Sequence, residues 1–163
     1  MKDDEGRASQ AWLWAPVILS TLGVLVSGYL SVKRVTGGSL ACSRWADCDV
    51  VNTSVYAKIY GVPVAFIGLA GYLVLMGLAM AALQAEGAAQ RRLLTLGFLL
   101  SLGGFGFSVY LTYLEIYVIE AICMWCVISA LLISLLAIVG GFNLRRTAYE
   151  PLDTSPTPST LRP

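Results

Sequence analysis

The sequence predicts an all-α integral membrane protein: a bundle of four transmembrane helices with a long outer loop between helices one and two. Two observations carry this. Hydrophobic residues make up 57% of the chain and charged residues only 13%, against about 25% charged in an ordinary soluble domain. The deficit is also concentrated, because Ala8–Val32, Ile59–Ala85, Leu93–Leu114 and Ala121–Leu144 contain no Asp, Glu, Lys or Arg. Each run reaches the roughly 20 apolar residues that carry a helix across about 30 Å of hydrocarbon. A soluble protein has no use for four such runs, since its helices keep a polar face.

Residues 1–11 are polar and are expected to form a disordered cytoplasmic arm. Helix one runs near Trp12–Val32, with Trp12 and Trp14 as interfacial anchors and Pro16 in its first turn, where a missing N–H costs little. Its apolar stretch exceeds the roughly 7–15 residues of a signal-peptide core, and Gly28-Tyr29-Leu30-Ser31 offers no strong cleavage site, so the helix is expected to be retained. An outer loop, 33–58, opens at Thr36-Gly37-Gly38 and holds Cys42 and Cys48. Helix two covers about Val62–Leu83, with Pro63 at its start. A connection around Gln84–Arg92 leads to helix three, roughly Leu93–Tyr113. Helix four spans about Ile122–Phe142, with Cys123 and Cys126 in its opening turns. The membrane domain thus occupies 12–146. Residues 147–163 hold four of the six prolines among Ser and Thr, which predicts a disordered cytoplasmic tail and not a second domain. Glycines within the spans point to close helix packing through small residues; for the Gly103–Gly106 cluster, lining a pocket for a flat ligand stays open.

Basic residues near the helix ends orient the bundle. With the N-terminus inside, Lys2, Arg7, Arg91, Arg92, Arg145 and Arg146 lie on the cytoplasmic face, against Lys33, Arg34, Arg44 and Lys58 opposite, a bias in the expected direction. Four crossings then put the first loop and the start of helix four on the same, outer side, so all four cysteines face one compartment. A net charge of +1 gives no electrostatic case for nucleic acid. The absence of His excludes histidine-ligated haem or metal and any Ser-His or Cys-His pair.

The cysteines are the remaining chemistry. Cys123-Met124-Trp125-Cys126 is a CxxC at a helix start. Its spacing closes a small disulfide ring, and free N–H groups with the positive dipole end stabilise a thiolate at Cys123. Half of a zinc site, or two inert thiols, are the alternatives. Five residues separate Cys42 from Cys48, which does not match the C-x₂₋₄-C spacing of a zinc knuckle. Either a static disulfide stapling the loop or a mobile shuttle pair accommodates it. Two pairs on one face favour exchange between them, since thiolate attack on a disulfide passes electrons through mixed disulfides.

Cys42-x₅-Cys48, Ser54 six residues on, Gly61-Val62-Pro63 opening helix two and a CxxC at the start of helix four together resemble the vitamin K epoxide reductase family. The run Cys48–Lys58 is similar to its bacterial members, and the likeness extends from helix one to helix four. The four-helix DsbB oxidases are a weaker match, because their CxxC lies in the first outer loop. The resemblance implies an enzyme of the bacterial inner membrane, a quinone-dependent thiol oxidase that supports disulfide formation in exported proteins. Cys42 and Cys48 match the loop pair that exchanges with a thioredoxin-like (DsbA-like) partner, Cys48 the residue that bridges to Cys123, and Cys126 the cysteine that meets the quinone, ubiquinone or menaquinone. Ser54 matches a hydroxyl position whose short helix caps the quinone pocket. Members often carry a fused thioredoxin-like domain; none is encoded here, so the donor is expected to be a separate protein. The vertebrate headgroup residues, an Asn in helix two and a Tyr one turn after the CxxC, have no counterpart: helix two lacks Asn and Ala130 stands at the Tyr position. Plain quinone reduction is therefore expected before epoxide reduction.

Around the CxxC, Glu115 and Glu120 are expected to mark the membrane surface, with proton relay as the second reading. Trp125 and Tyr117 are expected as interfacial anchors, with stacking on a ring as the alternative. Arg44 is expected as a solvated charge, or as a stabiliser of a loop thiolate. Two non-redox rivals remain: a transporter or scaffold with a stapled loop, and a zinc-stabilised membrane protein. No ionisable residue lies mid-span, where transporters place one for coupling.

Overall fold

The computed structural model describes residues 2–42 and 47–149. Helix α1 covers Lys2–Thr36, α2 Cys48–Thr53, α3 Val64–Gln84, α4 Gly87–Leu114 and α5 Met124–Tyr149. Four segments are long and apolar enough to cross a membrane: Trp12–Thr36, Val64–Gln84, Gly87–Ile119 and Met124–Thr147. The chain is an all-α membrane protein of four spans, as its charge-free runs predict. One small element is not helical. Strands β1 (Lys58–Ile59) and β2 (Val62–Pro63) pair antiparallel around Tyr60 and Gly61, both at positive φ (50° and 84°), the conformation that a two-residue hairpin turn of type I′ requires.

The spanning helices form a ring: α1 packs on α3, α3 on α4, α4 on α5, and α5 back on α1. Each shows one face to the interior and one to lipid. On α5, Leu132, Leu136, Val139 and Asn143 are buried while Leu131, Leu135, Ile138 and Phe142 are exposed, the spacing of opposite helix faces. Tyr72, Leu75, Leu132, Ile133 and Leu136 make a mid-bundle core. Gly23 lets this core close, because a Cβ there would overlap the Tyr72 ring. Ser20, Ser27 and Ser31 are buried on α1; their hydroxyls donate to the carbonyls of Pro16, Gly23 and Ser27 at 2.6, 2.7 and 2.8 Å, so close approach leaves no orphaned polar atom.

Several boundaries differ from expectation. Helix α1 starts at Lys2, not near residue 12, since no proline before Pro16 interrupts its ladder. Pro16 is consequently interior, where its missing N–H leaves the Trp12 carbonyl without its helical donor. Asn143 supplies the replacement, its Nδ2 donating to that carbonyl at 3.0 Å. The connection expected over Gln84–Arg92 shrinks to Ala85–Glu86, because the good helix formers Ala88 and Ala89 extend α4 backward; Gln90 Nε2 donates to the Ala82 carbonyl at 3.0 Å and ties the turn. Helix α5 runs on to Tyr149, past the helix end expected near Phe142 and the domain end expected at 146. The remainder of the expected tail, and Arg44, lie outside the described residues.

Candidate redox site and cavity

The outer loop is docked on the start of α5 and not free above it. Leu30, Leu40, Cys48, Val51, Ala121 and Cys123 form a second core, with Cys42, Trp125 and Cys126 packed against it. Cys48 and Cys123 are each only 1% exposed. Four hydrogen bonds hold this arrangement. Asp47 N donates to the Ile122 carbonyl at 3.1 Å, and Trp125 Nε1 to the Ala41 carbonyl at 3.0 Å. Ala41 N donates to the Tyr29 hydroxyl at 3.2 Å, and Leu40 N to Asp49 Oδ1 at 2.9 Å. The Tyr29 and Trp125 rings lie 4.8 Å apart. Trp125 thus clamps the loop, a use absent from both sequence readings. Tyr117 is 70% exposed, its ring tilted against that of Tyr113 at 5.0 Å.

Cys42 and Cys48 are disulfide-bonded, while Cys123 and Cys126 are free thiols. Cys123 immediately precedes α5, its carbonyl accepting from Val127 N at 3.1 Å. Its thiol is held below the ordinary cysteine range, first by the Cys126 thiol beside it; burial opposes this, the backbone N–H of Cys126 adds to it, the Glu115 charge opposes it, and the N–H of Trp125 adds to it. A lowered Cys123 is what the CxxC at a helix start predicts, although the neighbouring thiol outranks the helix end as its cause.

Glu115 departs from expectation. At the end of α4 the chain makes a π-helical turn, Glu115–Ile119, and Glu120 adopts a left-handed conformation (φ 53°). This turn tucks Glu115 inward to 5% exposure, where Oε2 accepts from Cys123 N at 3.1 Å. Glu120 stays exposed and alone keeps the surface role. Sequence reading put Glu115 first as a surface marker, with proton relay second, and did not count it among the site residues. The available signal was an acid eight residues before Cys123 at the edge of a charge-free run; the turn that aims it inward has no sequence marker.

A cavity of about 400 Å³ opens inside the ring, in the size range of roughly 300–1,000 Å³ typical of small-molecule sites. Cys123, Cys126 and Glu115 lie in its wall, as do Ser54, Gly103 and Gly104; Gly106 does not. Ser54 follows α2 directly, its hydroxyl donating to the Val51 carbonyl at 2.8 Å, so it serves both as a helix terminator and as a wall residue. Most of the remaining wall is aliphatic or glycine, suited to a flat apolar ring bearing a hydrocarbon chain. Ala130 lies outside this wall, lining a smaller recess of about 150 Å³.

One end of the bundle thus gathers two pairs of sulfurs and a buried acid at an apolar cavity between the spans. The family model described as "Vitamin K epoxide reductase family" matches residues 14–140, well over half of the chain and all four spans in large part. The chain belongs to the vitamin K epoxide reductase family.

Proposed function

We propose that this protein is a membrane thiol oxidase that reoxidises a separate thioredoxin-like (DsbA-like) partner and reduces a membrane quinone, supporting disulfide formation in exported proteins. Family membership carries the coarser statement, a membrane oxidoreductase of thiol–disulfide and quinone chemistry. The observation that carries the finer one is the apolar cavity with Cys123 and Cys126 in its wall, beneath a loop pair whose Cys48 shares a core with Cys123.

The exchange balances in three steps. A thiolate of the reduced partner attacks the Cys42–Cys48 disulfide; the partner leaves as a disulfide and the loop keeps two thiols. Cys48 then attacks Cys123 of a Cys123–Cys126 disulfide, and Cys42 closes back on Cys48, leaving the inner pair as thiols. A bonded loop pair beside free inner thiols is the state this order produces. Finally the inner thiols yield two electrons and two protons, the requirement for reducing a quinone to a quinol, and close their own disulfide. The shared core of Cys48 and Cys123 supports direct transfer, because thiolate attack needs one sulfur to reach the other. The same reading puts the protein in a bacterial cytoplasmic membrane, termini inside and cysteines outside.

Anaerobic mixing of the reduced, detergent-solubilised protein with ubiquinone and menaquinone analogues, following absorbance and free thiols together, tests it. Cys123→Ala and Cys126→Ala each abolish quinone reduction even by a strong small dithiol. Cys42→Ala and Cys48→Ala retain that reaction and lose turnover with a thioredoxin-like protein. Four alanine variants with undiminished turnover would refute the relay.

A further inference from the structure

Glu115 differs from the other charged residues of the chain. Among the described residues it is the one Asp, Glu, Lys or Arg in the cavity wall, and its side chain is almost wholly buried. We propose that Glu115 is the base that takes the Cys126 proton during quinone reduction and delivers it to the forming quinol. The assignment rests on the quinone-reducing reading given above.

The local backbone is built around this side chain. The Glu115 carbonyl accepts from Ala121 N at 3.1 Å and from the N–H of Glu120, so the π turn is closed on Glu115 itself; π turns within α-helices concentrate at functional sites. Oε2 holds the N–H of Cys123, the first residue of the CxxC, and Glu115 and Cys126 both bound the cavity. Positioning the Cys123 backbone does not need an acid: a glutamine oxygen would accept the same N–H without the several kcal/mol that burying an ionised carboxylate costs. What a carboxyl adds over an amide is a proton it can take and return. Tyr56 and Tyr72 are the other ionisable residues in the wall besides the two cysteines, and the Tyr72 hydroxyl is already engaged, donating to the Ser129 carbonyl at 2.8 Å.

The protons balance as follows. Cys123, whose thiol is held below the ordinary cysteine range, gives its proton to water. As the Cys123–Cys126 bond closes, two electrons leave the sulfurs for the quinone and the Cys126 proton passes to the Glu115 carboxylate. Glu115 returns it to one quinol oxygen. The second oxygen takes a proton from water, balancing the one released by Cys123.

Single-turnover quinone reduction by the dithiol-reduced full-length protein, with a water-soluble ubiquinone analogue, tests the assignment. Glu115→Gln keeps the acceptor for Cys123 N–H and is expected to slow this step by about 10²-fold or more, the usual worth of general acid–base catalysis, with thermal midpoint and exchange at Cys42–Cys48 unchanged. Glu115→Ala is expected to be equally slow and to recover partly in acetate, a rescue that lost positioning would not show. If Glu115→Gln runs within about threefold of the unaltered protein, far from the loss expected of a missing base, or if acetate leaves Glu115→Ala unrescued, the assignment is wrong. Unaltered protein that leaves the quinone oxidised would instead remove the underlying function.

Discussion

The acidity of Cys123 depends first on a sulfur three residues away. The Cys126 thiol is the largest influence lowering it, while burial and the Glu115 charge act in the opposite sense. The thiolate is the nucleophile, so a depressed Cys123 keeps its reactive form at pH values below the ordinary cysteine midpoint of about 8.5. Removing the donor reverses the balance. In protein with Cys42 and Cys48 replaced by alanine, the ultraviolet absorbance of the Cys123 thiolate should titrate below that ordinary midpoint, and Cys126→Ala should move the midpoint upward. Cys126→Ser, which keeps a donor, should move it less; an unmoved midpoint in Cys126→Ala would detach Cys123 from its neighbour. At this scale the sequence was readable where chemistry is local. A CxxC at a helix start announces a reactive N-terminal cysteine through spacing alone. For Glu115 the choice between surface marker and proton relay was not readable, because a carboxyl at the edge of a span points outward or inward according to one turn of backbone. Trp125 was half readable: its place beside Cys126 was evident, its grip on the Ala41 carbonyl 84 residues away was not.

Secondary structure shows the same division between hydrocarbon and water. The charge-free runs located all four spans because lipid forbids unpaired backbone groups and permits only complete helices across it. Beyond the hydrocarbon that constraint ends, and helices continue or stop on propensity and capping; α1, α4 and α5 all overrun their apolar segments for this reason. Pro16 illustrates the consequence. Placed in a first turn it would be nearly free of cost, but inside α1 it strands the Trp12 carbonyl, and Asn143 from α5 fills the gap. The two helices are thereby bonded at the end opposite the cysteines, where Arg146 also lies over the Trp12 ring at 5.2 Å. Asn143→Leu should lower stability by about 1 kcal/mol, the net worth of a typical hydrogen bond, here to a partly buried carbonyl, seen as a lower thermal midpoint in detergent. Pro16→Ala returns an N–H to that carbonyl, so the same Asn143 substitution made in Pro16→Ala protein should cost distinctly less. Equal costs in both backgrounds would mean that Asn143 acts through something other than the Trp12 carbonyl.

For the molecule as a whole, the parity of its crossings governs the chemistry. An even number of spans brings the loop after α1 and the start of α5 to one end, and the shared core of Cys48 and Cys123 is the physical form of that count. The count was legible in the sequence; the cavity was not, because its volume arises from four helices closing a ring and from glycines whose neighbours only the fold reveals. Which compartment the cysteine end faces is a separate matter, resting on a bias of six basic residues against four. A membrane-impermeant maleimide decides it. In otherwise cysteine-free protein within intact spheroplasts, a single Cys42 should label from outside. A cysteine at Glu86, exposed in the connection between α3 and α4 at the opposite end, should label only after permeabilisation. If the two reversed, the bundle would keep its relay but face the cytoplasm, and its electron donor would have to be a cytosolic thiol protein, not one serving exported chains. If both labelled from outside, the four-span topology itself would fail, and with it the convergence of the two cysteine pairs on which transfer from loop to cavity depends.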